Sequence, residues 1–308
     1  MLNCIGGFSS VLLPDGTVAL ARLRGKLRRQ GEVVAGDRVW VVPVGPSLRP
    51  ELEGGEASQA FAAGPATLVI EEVLARRTFL PRPPVANVDQ VLAVISLADP
   101  PPALELLDRL IVVALREGVE PLICFSKADL VDASASRRLV EGYRRCGLRA
   151  VAASARDGTG LDELRSLLQN RVSILAGPSG AGKSTLLNAL VPGASRPTGE
   201  ISSKTRRGRH TTRAVELLRL PTGGVVADSP GFARLDLTGI EPRKLQHYFP
   251  EFAELASGCT YRNCLHREEP GCQVREELAG EEGVPGLRYR HYRLFLDEVE
   301  RLYEDRYS

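Results

Sequence analysis

Apolar and polar positions follow two rhythms along the chain. Up to about residue 80 the apolar runs are short and separated by turn-forming residues. "SSVLLPDGTVALARLRG" (9–25) sets two such runs around Pro14, Asp15 and Gly16, which predicts a hairpin. "VVAGDRVWVVPV" (33–44) predicts a further strand led by a Gly-Asp turn, and "ATLVIEEVLARRTFL" (66–80) another. The Gly- and Ala-rich stretch 45–65 reads as a surface loop. Several short strands in so small a region predict a small barrel. The Pro-rich "LPRPPVAN" (80–87) reads as a joint between domains.

Beyond residue 88 the rhythm becomes strand, then helix. "VDQVLAVISLA" is a continuous apolar strand, and "ALELLDRLIVVALREG" carries helical spacing. "EPLICFSKADL", "LRAVAASA", "VSILAG" and "VVADSPG" are further strands running into loops, with "SRRLVEGYRRCG" and "LDELRSLLQN" as helices between them. Continuous apolar strands alternating with helices predict a mostly parallel sheet covered on both faces. After residue 240 a cysteine cluster precedes "LRYRHYRLFLDEVERLYEDR", where Tyr289, Tyr292, Leu296 and Val299 recur at helical spacing.

Composition narrows the classes. The chain has 308 residues, 43% hydrophobic and 25% charged, with a net charge of +2. That is ordinary for a globular protein of two or three domains, so any affinity for nucleic acid must come from local patches. Two basic stretches qualify: Arg22, Arg24, Lys26, Arg28 and Arg29, and Lys204, Arg206, Arg207, Arg209 and Arg213. Either is equally well a solvated face. The N-terminus lacks the basic start and apolar run of a signal peptide, and no apolar run approaches the roughly 18 residues needed to span a bilayer. Six scattered cysteines do not make an exported disulfide scaffold, so a cytoplasmic protein without membrane association is expected.

The chemistry is concentrated in a few stretches. "GPSGAGKST" (177–185) meets the pattern G-x-x-x-x-G-K-[ST], with an apolar strand before it and a helix after it. Gly177, Pro178, Ser179, Gly180, Ala181 and Gly182 would turn backbone N–H groups toward phosphate oxygens. Lys183 would reach the β- and γ-phosphates, and Ser184, followed by Thr185, would ligate Mg²⁺. This motif does not choose the base. "SKAD" (126–129) ends an earlier strand, and Asp129 there could accept both the N1–H and N2–H of guanine, while the stem of Lys127 covers the ring. By itself "SKAD" could equally cap a helix. "ASA" (153–155) ends the next strand and would offer a backbone N–H from Ser154 or Ala155 to the guanine oxygen. In "DSPG" (228–231), Asp228 would hold Mg²⁺ through water and Gly231 would offer its N–H to the γ-phosphate. All of these loops follow predicted strands, where open α/β sheets bind ligands.

The base loop precedes the phosphate loop, the reverse of an ordinary GTPase. A parallel sheet places its loops in space without dictating where the chain is cut, so a circular permutation leaves the site intact. Phe232, just after Gly231, cannot orient water, so intrinsic hydrolysis is expected to be slow. His210 in the basic stretch is the candidate to orient water instead, against the alternative of an exposed histidine in a loop. "CTYRNCLHREEPGC" supplies Cys259, Cys264, His266 and Cys272, a set that suits a closed tetrahedral zinc site.

A barrel, a base loop before a phosphate loop, then "GRHTT" (208–212), "DSPGF" (228–232) and a Cys/His cluster: this order resembles the circularly permuted GTPases of the ribosome small-subunit-dependent GTPase A family. The resemblance implies a multidomain α/β protein with an N-terminal OB-fold barrel at 1–80 as its RNA-binding part. It further implies a permuted P-loop GTPase domain at 81–240 and a zinc-binding module with C-terminal helices at 241–308. It implies slow GTP hydrolysis to GDP and phosphate, with Mg²⁺, stimulated by the small (30S) subunit during late maturation. Expected partners are that subunit, its rRNA and GTP, with one zinc per monomeric chain. Two departures stand out. The base loop of the family usually begins with Asn, and here Ser126, being shorter, is expected to span less well from guanine to the phosphate loop. Where the family often has three threonines, Thr211 and Thr212 precede Arg213, and Thr212 is favoured over Thr211 as the Mg²⁺ ligand. The alternatives are a guanylate-kinase-like enzyme, which lacks an Arg-Gly-Glu continuation here, and an RNA-binding adaptor whose nucleotide only shapes the fold.

Overall fold

The computed structural model describes residues 1–5, 8–25, 27, 33–44, 68–81, 83–191, 215–228 and 235–307. Its first part is a sheet of five strands, β1 (Asn3–Ile5), β2 (Phe8–Leu12), β3 (Val18–Leu23), β4 (Val39–Pro43) and β5 (Leu68–Val73), in the order β1-β2-β3-β5-β4. The predicted hairpin is there: β2 and β3 pair antiparallel across a turn in which Leu13 N–H donates to the Thr17 carbonyl at 2.9 Å. Alternation carries Val11, Ala21, Leu23 and Ile70 into one small buried cluster. Among the described residues this element is a five-stranded sheet with β1 and β4 at its edges.

The Pro-rich stretch at 80–87 has a local structure of its own. It forms a hairpin of β6 (Phe79–Pro81) and β7 (Pro84–Ala86), with Val85 fully buried. Ala86 N–H donates to the Ala35 carbonyl at 2.9 Å, and Asn87 Nδ2 donates to the Gly36 carbonyl at 3.0 Å. A Cβ on Gly36 would lie 1.9 Å from the Ala86 carbonyl oxygen, so only glycine admits this approach. Prolines fit because such a short two-stranded ribbon leaves edge positions where a missing N–H costs nothing.

The second sheet has six strands in the order β10-β9-β8-β11-β13-β12. They are β8 (Gln90–Ser96), β9 (Glu120–Ser126), β10 (Arg149–Ala152), β11 (Val172–Ala176), β12 (Leu218–Arg219) and β13 (Val225–Asp228). All pairings are parallel except that of β12 with β13. All seven residues of β8 are buried, as its uninterrupted apolar run requires. Val91, Ala93 and Ile95 meet Leu107, Leu110 and Ile111 of α1 (Leu104–Arg116) and Tyr143 of α2 (Ala133–Arg145). Leu92 and Val94 turn the other way, toward Leu164 of α3 (Leu161–Leu168) and Leu187 of α4 (Lys183–Leu190). The chain enters at β8, runs outward to β9 and β10, then returns to β11 on the other side of β8. The direction of winding therefore reverses between β8 and β11, and this opens a crevice at their C-terminal ends.

The third part holds α5 (Phe252–Ala256), α6 (Gln273–Leu278) and the long α7 (Val284–Tyr307). Tyr289, Tyr292, Leu296 and Val299 are all buried, as their spacing predicts, and pack with Phe249 and Phe252 against Val112 and Val113 of α1. A charge also lies in this interface. Arg288 is fully buried and donates to Asp108 of α1 and to Glu251, while His291 Nδ1 lies 2.6 Å from the second Asp108 oxygen. Burial opposes the charge on Arg288, but Asp108 and Glu251 outweigh it and hold the guanidinium firmly protonated. No helix among the described residues is long and apolar enough to cross a membrane.

Candidate nucleotide site and metal centre

The loop between β11 and α4 sits at the crevice. Gly177 has φ of 142°, and a Cβ there would lie 2.1 Å from the Val94 carbonyl oxygen, so the strand can turn here only at glycine. Gly182 (φ 83°) opens α4, and Leu186 N–H already donates back to its carbonyl at 2.8 Å. Ser179 and Gly180 are exposed at the tip, Ala181 is buried, Ser184 is half-buried and Thr185 is exposed. Lys183 folds over the loop, its ammonium donating to the carbonyls of Gly177 at 2.8 Å and Pro178 at 2.7 Å. A loop turned at glycines, a helix N-terminus and a held ammonium are together the chemistry that suits a phosphate.

The base loop meets this loop from the next strand but one. Ser126 ends β9, level with Ser96 of β8. Lys127 adopts a left-handed conformation (φ 59°), and Ala128–Leu130 form a single tight turn. Ala128 N–H donates to the Ala153 carbonyl at 3.2 Å, which joins "SKAD" to "ASA". The Ser154 N–H is engaged with the Thr159 carbonyl at 2.8 Å, and its hydroxyl accepts from Arg156 N–H at 3.2 Å. The Ala155 N–H makes no hydrogen bond among the described residues, so of the two it is the one left to meet a ligand. The Asp129 side chain is 14% exposed, with Arg156 at 3.9 Å.

Ser126 meets the phosphate loop directly. Its hydroxyl donates to the Ala181 carbonyl of the phosphate loop at 2.6 Å. The shorter side chain therefore spans the gap to that loop, because β9 and β11 flank β8 and bring their ends close. Sequence reasoning missed the loop after β8 altogether. Leu97 N–H donates to the Ser126 carbonyl at 3.0 Å, the Lys127 ammonium donates to the Asp99 carbonyl, and Pro100 packs over Gly180. The only sequence signal for this loop was its place at the end of a central strand.

Asp228 ends β13 beside Leu175 of β11, so its backbone lies at the same edge of the sheet. His210, Thr211, Thr212 and Gly231 lie outside the described residues, as do Phe232 and the second basic stretch. Of the first basic stretch, Arg22 and Arg24 are described, and Arg24 pairs with Glu71 at 2.7 Å.

The second cluster is compact. The ligand atoms of Cys259, Cys264, His266 and Cys272 all lie within 4.8 Å of one another. His266 Nδ1 is 3.7 Å from the Cys259 sulfur and 3.4 Å from that of Cys272. Its Nε2 is 2.8 Å from Gln246 Oε1, which can only accept, so Nε2 carries the proton and Nδ1 presents a lone pair to the thiols. The surrounding loop is pinned: the Tyr289 and Tyr292 hydroxyls donate to the His266 and Leu265 carbonyls at 2.7 and 2.9 Å. Burial pushes the Cys264 thiol up to about 12, raises that of Cys272 and lowers His266. Three cysteine sulfurs and one imidazole nitrogen converging here fit a metal of nitrogen and sulfur preference, the thiols giving up their protons as it binds, with no position left for substrate.

Comparisons with known proteins agree with this geometry. A family model described as RsgA GTPase matches residues 73–238. The small ribosomal subunit biogenesis GTPase RsgA of Moorella thermoacetica is 48% identical over 301 residues, covering 97% of this chain and 96% of the relative. That of Carboxydothermus hydrogenoformans is 46% identical over 283 residues, covering 92% and 91%. Among solved structures, YjeQ from Thermotoga maritima superposes with a TM-score of 0.73 at 34% identity, covering 96% of this chain and 95% of that one. YloQ, described as a circularly permuted GTPase, gives 0.74 at 30% identity, covering 97% and 93%.

Proposed function

This chain belongs to the RsgA GTPase family, and on that premise we propose that it hydrolyses GTP as a biogenesis factor of the small ribosomal subunit. The observation that carries the reading is the direct bond between base loop and phosphate loop, Ser126 to Ala181, at the point where the sheet reverses its winding. A guanylate kinase needs no base loop at that place.

In this reading Gly177 to Gly182 wrap the phosphates, and Lys183 exchanges its loop carbonyls for phosphate oxygens. Asp129 accepts the guanine N1–H and N2–H, Lys127 covers the ring, and Ala155 donates to the guanine oxygen. Ser184, Thr212 and Asp228 are the groups to hold Mg²⁺, which when bound neutralises charge on the phosphates. Gly231 would donate to the γ-phosphate and His210 would orient water. Cys259, Cys264, His266 and Cys272 are assigned to one zinc, a structural ion that fixes the third part of the chain. The five-stranded sheet is assigned to an OB-fold that meets rRNA, within domains at 1–80, 81–240 and 241–308 of a cytoplasmic monomer.

The test is GTP turnover with and without purified small subunits. Slow turnover alone and a rise of at least tenfold with subunits is the expected result. Subunit binding with no turnover in either condition would instead identify an adaptor whose nucleotide is structural.

A further inference from the structure

Ser126 is 4% exposed, and its hydroxyl has one proton to give. Two carbonyl oxygens lie within reach, Ala181 at 2.6 Å and Ile95 at 3.3 Å. A carbonyl only accepts, so the hydroxyl must be the donor in either bond, and the shorter one to Ala181 takes the proton. Nothing of the side chain remains to donate elsewhere.

That matters for the base. A guanine whose N1–H and N2–H meet Asp129, and whose phosphates meet the 177–182 loop, turns its O6 and N7 acceptors toward the floor between those loops. O6 has a backbone donor in Ala155. The side chains of the base loop that carry a donor are Ser126 and Lys127. The Lys127 ammonium is directed to the Asp99 carbonyl, and the Ser126 proton is directed to Ala181. We propose that Ser126 is a positioning residue that fastens the base loop to the phosphate loop and reads no part of the base, leaving guanine N7 unrecognised. An asparagine there would carry two N–H donors and could serve Ala181 and N7 together. The inference rests on the guanine-nucleotide reading of the site.

The experiment is competition of GTP, ATP and 7-deaza-GTP, in which a C–H replaces N7, against a fluorescent guanine nucleotide. Wild-type protein should prefer GTP strongly over ATP and bind 7-deaza-GTP within about twofold of GTP. A lost N7 hydrogen bond would cost roughly three- to tenfold. Ser126→Ala should weaken GTP and 7-deaza-GTP alike, by roughly three- to tenfold, because the bond to Ala181 serves both. Ser126→Asn should acquire a preference for GTP over 7-deaza-GTP of that same size, which a merely structural role for the hydroxyl would not produce. Wild-type discrimination against 7-deaza-GTP overturns the inference while leaving the guanine reading intact, and so does an Asn variant that stays blind to N7. Wild-type protein without preference for GTP over ATP removes the guanine reading, and this inference with it. The decisive comparison uses unaltered protein, so it does not depend on a variant folding.

Discussion

Asp129 is largely shielded, at 14% side-chain exposure, and is placed by a turn whose first N–H bonds the neighbouring loop. A carboxylate there is matched by guanine, which supplies two N–H groups, and mismatched by adenine, which cannot supply both. Asp129→Asn replaces one acceptor with a donor. We expect GTP affinity to fall by about tenfold or more, and xanthosine triphosphate, whose C2 oxygen accepts the new N–H, to become the preferred ligand. Competition binding measures both. A variant that keeps the wild-type preference would reduce "SKAD" to a helix cap. The residue types at 126–129 and 177–184 were legible in the sequence because their chemistry is local. Which carbonyl of the phosphate loop takes the Ser126 proton was not legible, because Ala181 lies 55 residues away and meets it only through strand order.

At the level of elements, β8 and α1 connect the two clusters. The loop after β8 touches base loop and phosphate loop, while α1 receives α7 through Asp108, Arg288 and Glu251. Arg116 of α1 also donates to the carbonyls of Asp236 at 3.2 Å and Thr238 at 3.3 Å. The segment after "DSPG" is thus tied to the same helix that carries the third part of the chain. Removing one member of a buried ion cluster leaves the others unpaired in low dielectric. Arg288→Met keeps an unbranched apolar stem and high helix propensity but leaves Glu251 without its cation and Asp108 with His291 alone. It should destabilise the protein by about 3–5 kcal/mol, read from chemical denaturation. A loss under about 1 kcal/mol would show that the cluster contributes little beyond packing. In the sequence Arg288 sits among arginines and tyrosines and reads as a solvated charge, since helical spacing marks the inner face but not which charge is carried across it.

For the whole molecule, the Cys/His cluster and the crevice at the sheet's C-terminal edge belong to different cores, one built on α7 and the other on the six-stranded sheet. Cys264→Ser should therefore lose the bound zinc, about one per chain in the unaltered protein, and make 241–308 sensitive to protease, because metal binding there is folding energy. GTP binding should stay within a few-fold. Metal analysis, limited proteolysis and nucleotide binding on the same sample check all three. Full zinc content in the variant would remove Cys264 from the ligand set.

The sequence by itself determined the strand and helix rhythm, the G-x-x-x-x-G-K-S motif at 177–184 and the close grouping of Cys259, Cys264, His266 and Cys272. Each of these is a local pattern, set by side-chain period or by residues within one turn of chain. Tertiary structure alone decided four further things: that the Pro-rich stretch is a hairpin seated on Gly36, that Ser126 reaches Ala181, that Gln246 meets Nε2 of His266, and that a buried arginine fastens α7 to α1. All four are contacts between residues distant in the chain. They exist because packing brings a lone donor to a lone acceptor where water cannot compete, and no local pattern of residues records that meeting.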